Sequence, residues 1–169
     1  SSDLSHEWVG PDVWFAHMVH LDDSELRRCA ETGTGIAHCP QSNGRLGSGI
    51  ARIPEALALG VPVGLAVDGA ASNEAADMLS EAHACWLMHR ARPGPHGGNA
   101  AALTVEDVVH LGTAGGARLM GLDGVGTLQP GMAADIALYE LAEPRHFGLH
   151  DPAIAPVASG GRKIGRAHV

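Results

Sequence analysis

Val61-Pro62-Val63-Gly64-Leu65-Ala66-Val67-Asp68-Gly69-Ala70-Ala71-Ser72-Asn73 runs an apolar segment straight into an aspartate and then into a turn of small residues. A continuous aliphatic run of this length reads as a strand buried on both faces, the kind found in parallel sheets covered by helices. Such a strand can carry an ionised carboxylate only at its end, next to a cation or another charge. Asp68 occupies that end and is the first candidate for a metal-binding or catalytic group.

The same arrangement recurs upstream. Asp12 to Ala16 reads as a short strand ending at His17, and Gly35-Ile36-Ala37 as a second strand ending at His38. Asp22, with Glu25 three residues later, forms the pattern of a capping box for a helix that closes near Gly33, with Leu26, Cys29 and Ala30 on one side. Cys39-Pro40 leads into a polar loop over 41–49, and a helix is expected from Ile50 to Leu59. A longer helix, from Glu74 to Arg92, follows the strand that ends at Asp68, with Ser72 and Asn73 placed to cap it. This is strand then helix, three times over, and the fold class is α/β.

Beyond a Pro- and Gly-rich loop from Pro93 to Ala100, Thr104 and Asp107 open another helix, which resumes after a break over Thr113 to Met120. Gln129-Pro130-Gly131 has the residues of a type II turn, and Ala134 to Leu141 reads as a strand of a small β element. His83, His89 and His110 fall within helices and read as packing or solvated residues, and His20 as part of a helix entrance.

Composition narrows the function classes. With 169 residues, 45% of them hydrophobic, the chain can bury a core, while 23 Gly and 10 Pro suit short elements joined by tight loops. A formal net charge of −8 with scattered Lys and Arg argues against a nucleic-acid polymer as partner. Cys29, Cys39 and Cys85 lack Cys-x-x-Cys spacing, so neither a disulfide framework nor a thiolate zinc site is expected and a reducing cytoplasm fits. No apolar run approaches the roughly 20 residues of a spanning helix, so no membrane partner is expected.

In a parallel barrel all strand C-termini emerge on one face, so His17, His38 and Asp68 can converge there. Histidine and aspartate are suitable partners for a zinc-activated water. Four segments then carry a resemblance: Phe15-Ala16-His17-Met18-Val19-His20-Leu21-Asp22, Ala37-His38-Cys39-Pro40-Gln41-Ser42-Asn43, Val67-Asp68-Gly69-Ala70-Ala71-Ser72-Asn73, and 126–135, Gly-Thr-Leu-Gln-Pro-Gly-Met-Ala-Ala-Asp. Together they resemble successive signatures of the amidohydrolase superfamily over about Trp8 to Gly161, with most likeness to aminohydrolases of purine and triazine rings.

The resemblance implies a (β/α)8 barrel in which His17 ends strand six, His38 strand seven and Asp68 strand eight, so that residues 1–122 are the C-terminal part of the barrel and 123–161 part of a small β-sandwich. It implies that Asp68 binds one divalent metal, zinc or alternatively iron, and takes a proton from the water it activates. His17 contacts that water or the substrate. His17, His38, Asn43 and Arg45 are the expected substrate contacts, the last two because loops after barrel strands line the pocket. The family's His-x-His of strand one and His-x-x-Glu of strand five have no match here, so this polypeptide alone is expected to be inactive. The implied whole enzyme deaminates a purine-like ring, 8-oxoguanine first, and releases ammonia. A triazine-ring hydrolase is the rival within the superfamily, and a non-catalytic barrel-derived binding module the rival outside it. Homo-oligomerisation of the whole protein stays open.

Residue 1 is Ser rather than Met, and the chain is expected to lack its beginning. Ile164-Gly165-Arg166-Ala167-His168-Val169 resembles the translation of a common sequencing adapter, so 162–169 is expected to be a non-native tail.

Overall fold

A computed structural model describes residues 8–94, 97–160 and 162–167. Residues 1–7 of the expected opening connection, 95–96 of the Pro- and Gly-rich loop, Gly161, and 168–169 of the expected tail lie outside the described residues.

Three short strands, β1 (Trp14–Ala16), β2 (Gly35–His38) and β3 (Val63–Leu65), form a parallel sheet in that order. Phe15 pairs with Ile36 and Ile36 with Val63, which aligns the C-terminal ends of all three. Every residue of β2 and β3 is buried, whereas β1, at the edge, leaves Trp14 and Ala16 exposed. β3 is shorter than the apolar run that encodes it. Ala66 N still donates to His38 O at 2.8 Å, but β2 ends there, and with no further partner the chain turns toward Asp68.

Helix α1 (Asp23–Thr32) connects β1 to β2. It is opened by the expected capping box between Asp22 and Glu25 and closed by Gly33 in the left-handed region, and it buries Leu26 and Cys29. Between β2 and β3 lie two short helices, α2 (Pro40–Arg45) and α3 (Ile53–Ala58). The expected polar loop is thus helical in its first half: Pro40 sits at the first helical position, where its missing N–H costs nothing. Helix α4 (Met78–Ala91) starts later than expected, and its N-cap is Asp77, which accepts from the backbone of Leu79 and Ser80.

The helix expected to break near Thr113 does not break. Helix α5 (Val105–His110), opened by the Thr104–Asp107 capping box, runs through a π turn (Leu111–Gly115) into α6 (Gly116–Leu119). Glycine permits this helix to lie directly on the sheet. A Cβ at Gly115 would stand 2.7 Å from Val63 O, and one at Gly64 would stand 3.0 Å from Gly116 Cα. The core joins Leu26, Ile36, Val61 and Val63 to Ile53, Val105, Val108 and Leu111.

A second, two-stranded antiparallel sheet pairs β4 (Ile136–Glu140) with β5 (Arg162–Ala167), with a register shift between Leu138 and Tyr139. Met132 N donates to Gln129 O, with Gly131 at φ 90°, as the expected turn requires. Helix α7 (Ala155–Ala158) packs on α4, where His83 Nδ1 bonds Val157 O at 2.8 Å. β5 contains the segment expected to be a foreign tail; pairing asks only for extended backbone and is silent on the origin of those residues. No helix among the described residues is long and apolar enough to cross a membrane.

Candidate active site

His17 follows β1, His38 ends β2 and Asp68 lies three residues past β3, so register alone brings them to one edge of the sheet. The backbone there is unusual. His17 (φ 69°), Met18 (φ 44°) and Asp68 (φ 64°) are three of the four non-glycine residues with positive φ among the described residues. Each such conformation costs on the order of 1–3 kcal/mol and persists only where surrounding contacts enforce it, a situation concentrated at functional sites. The two residues expected to carry the chemistry are among those held this way.

Asp68 is enclosed by hydroxyls. Its Oδ2 accepts from Ser42 Oγ at 2.7 Å and from Ser72 Oγ at 2.9 Å, and the two hydroxyl oxygens lie 2.9 Å apart. Two hydroxyl protons serve three contacts, and the charge-assisted bonds to the carboxylate are the stronger claimants. The hydroxyls of Ser42 and Ser72, then Gly69 N–H and His17, hold the Asp68 carboxyl below the usual carboxylate range. His17 Nε2 stands 3.6 Å from the same Oδ2, with a third or more of each side chain open to solvent. His17 Nδ1 meets Asn43 Oδ1 at 2.8 Å.

Behind these groups lies a carboxylate that the sequence pattern did not single out. Glu81 of α4 is fully buried and accepts from Gln41 N (2.9 Å), Gln41 Nε2 (2.8 Å) and Asn73 Nδ2 (2.6 Å). Burial pushes its carboxyl up even so, against the pull of those donors. Gln41 and Asn73 are the chain neighbours of Ser42 and Ser72, so Glu81 ties together the two loops whose hydroxyls hold Asp68. Ser72 and Asn73 are therefore not helix caps, as their position ahead of α4 had suggested; they belong to this network. The available signal was a glutamate on the otherwise apolar face of Ala82, Cys85 and His89.

The other expected substrate contacts sit differently. Asn43 is 1% exposed and faces His17. Arg45 is at the exposed rim, where its guanidinium is engaged by Glu74. His38 is 1% exposed, and its Nε2 lies 3.0 Å from His89 Nε2 in α4. Burial, then the neighbouring imidazoles, push His38 down to about 3, and burial pushes His89 down to about 4. With Cys85 Sγ these rings form a group whose donor atoms lie within 4.8 Å of one another and could hold a metal ion. Cys85 and His89 are four apart on one helix face, a spacing that Cys-x-x-Cys motifs do not include. Burial pushes the Cys85 thiol up to about 12, so in the apo chain the group is a neutral thiol beside a hydrogen-bonded pair of neutral rings.

Comparison with known proteins decides the family, since the amidohydrolase family pattern matches residues 5–164. The chain belongs to the amidohydrolase family. Among amidohydrolase relatives, an isoxanthopterin deaminase from an unknown prokaryotic organism is 60% identical over 167 residues, covering 93% of this chain and 35% of that protein. The 8-oxoguanine deaminase of Pseudomonas aeruginosa is 44% identical over 162 residues, covering 96% and 35%. An amidohydrolase from a Sargasso Sea environmental sample superposes with a TM-score of 0.81 at 56% identity, over 95% of this chain and 35% of that one. An atrazine chlorohydrolase from Arthrobacter aurescens, complexed with zinc, superposes with a TM-score of 0.81 at 35% identity, over 90% and 33%. The chain thus spans about a third of the length of the amidohydrolases it matches.

Proposed function

We propose that this chain is the part of a (β/α)8 amidohydrolase barrel that carries strands six to eight, residues 1–122, with part of a small β-sandwich, 123–161. In this reading the whole protein removes the exocyclic amine from a bicyclic pyrimidine-type ring. The observation that carries the reading is Asp68: a carboxylate on strained backbone at the end of a parallel sheet, kept ionised by two serine hydroxyls, with an imidazole nitrogen 3.6 Å away.

The residues present fit one side of a zinc site. Asp68 offers a hard anionic oxygen, partly open to solvent, and is the residue that would hold the ion. A divalent ion, when bound, supplies the Lewis acidity that makes water nucleophilic near neutral pH. In the net reaction, water adds its oxygen to the amine-bearing ring carbon, the C–N bond breaks, and ammonia leaves with one proton of that water while the other remains on the product ring as its oxo tautomer. Asp68 is the base that takes a proton on its carboxylate, and its depressed basicity keeps it ionised and ready to accept. His17 Nε2 orients the same water or the substrate edge. Glu81 keeps the Ser42 and Ser72 loops in register, so the carboxylate does not reorganise as charge moves.

Isoxanthopterin and 8-oxoguanine both carry an exocyclic amine on an oxo-pyrimidine ring fused to a second ring, and the higher identity to the isoxanthopterin deaminase favours a pteridine-like substrate over the purine first expected. A triazine substrate is the third choice. The deciding experiment recovers the flanking coding sequence and assays ammonia release by the whole protein on isoxanthopterin, 8-oxoguanine and an aminotriazine. Turnover of either bicyclic ring, abolished by Asp68→Asn, is the expected result. Absence of release from all three, or undiminished release by Asp68→Asn, would overturn the proposal.

A further inference from the structure

His17 has two ring nitrogens and one close partner. Nδ1 lies 2.8 Å from the side-chain oxygen of Asn43, whereas Nε2 lies 3.6 Å from Asp68 Oδ2, beyond hydrogen-bond range. That oxygen already accepts the hydroxyls of Ser42 and Ser72, which use its two lone-pair directions. A proton on Nε2 would face an acceptor both distant and filled. A proton on Nδ1 makes a short bond to a buried carbonyl. The address of that carbonyl is set by α2, where Asn43 N donates to Cys39 O at 3.0 Å and Asn43 O accepts from Ser48 N at 2.9 Å. Asn43 Nδ2 is buried with no hydrogen-bond partner among the described residues, a cost that the bond to His17 offsets.

We propose that Asn43 is a positioning residue that holds His17 as its Nδ1–H tautomer, so that the Nε2 lone pair is presented as an acceptor at the sheet edge beside Asp68. This rests on the reading of His17 and Asp68 as a working pair, and it adds the chemistry the pair recognises. An unprotonated Nε2 beside the Asp68 carboxylate takes a group that carries protons, such as a water molecule or the amine-bearing edge of a ring. An Nε2–H ring would instead select a carbonyl edge. The residue expected from its loop position to touch substrate thus acts through His17.

The test is the tautomer itself. In the uniformly 15N-labelled chain at about pH 8, long-range 1H–15N correlation distinguishes the two neutral tautomers from each other and from the protonated ring, and His17→Gln identifies the cross-peaks of this ring. The Nδ1–H pattern is expected for the native chain and for Asn43→Asp, which keeps an acceptor in place. Asn43→Leu, which has none, shifts the ring to mostly Nε2–H. An Nε2–H pattern in the native chain, as the reversed Asn43 amide would produce, overturns the proposal, and so does an Nδ1–H pattern that survives in Asn43→Leu. Should Asn43→Leu fail to fold, the native and Asn43→Asp spectra decide. The spectra need no catalytic turnover, so a negative deaminase assay and a negative tautomer result are distinct failures.

Discussion

At the scale of single residues, the site is a problem of charge placement. The hydroxyls of Ser42 and Ser72 come first among the groups that hold the Asp68 carboxyl below the usual carboxylate range, and hydroxyls can be removed without adding charge. Ser42→Ala combined with Ser72→Ala is expected to raise the Asp68 pKa toward the ordinary carboxylate value, read by the pH dependence of its side-chain carbonyl 13C shift. An unmoved midpoint would mean that the serines only fill space. Sign matters for the buried imidazoles as well. His38 and His89 take up protons only at about 3 and about 4 in the folded chain, against roughly 6.5 when unfolded. The unfolded chain therefore binds more protons between those values, and stability is full above about pH 6.5 and falls as the pH drops toward 4. Each ring contributes a slope of up to about 1.4 kcal/mol per pH unit in that window. Denaturant unfolding at a series of pH values should show this slope, and a His38→Phe/His89→Leu double variant should flatten it whatever its absolute stability.

At the scale of elements, close approach of backbone to backbone sets the shape of the sheet's helical cover. The helix running from Val105 to Leu119 contacts β3 through Gly64, Gly115 and Gly116, and the backbone atoms there cannot retreat as a flexible side chain would. Gly64→Ala is expected to cost about 1–3 kcal/mol, as overpacking does, and to lower the urea midpoint clearly. Gly124→Ala, where an added Cβ meets nothing within 4 Å, serves as the control and should leave the midpoint near its native value. The sequence pattern marked the capping boxes at Asp22 and Thr104 because such signals are local. It misplaced the start of α4 and missed α2 because Ser72, Asn73 and Gln41 spend their hydrogen-bonding groups on distant partners, Asp68 and Glu81, that no short window contains.

At the scale of the whole molecule, the proposed function assigns this chain one side of a site. A catalytic zinc usually takes three protein ligands and a water, and the edge described here offers the Asp68 carboxylate with His17 beside it. The isolated chain is accordingly expected to release no ammonia from isoxanthopterin or 8-oxoguanine, while the whole protein does so and loses the activity on prolonged chelation. Release by the isolated chain would show that the described residues suffice. By itself the sequence determined the α/β class, the succession of strands and helices and the family resemblance, and it singled out His17 and Asp68 as candidates, because these rest on hydrophobic period, turn chemistry and local motif. Only the tertiary structure decided that His38 is buried against His89, that Asn43 meets His17 and that Glu81 ties the serine loops together. Those outcomes depend on which side chains meet across elements 26 to 51 residues apart, where packing and the cost of an unpaired buried group select the partner.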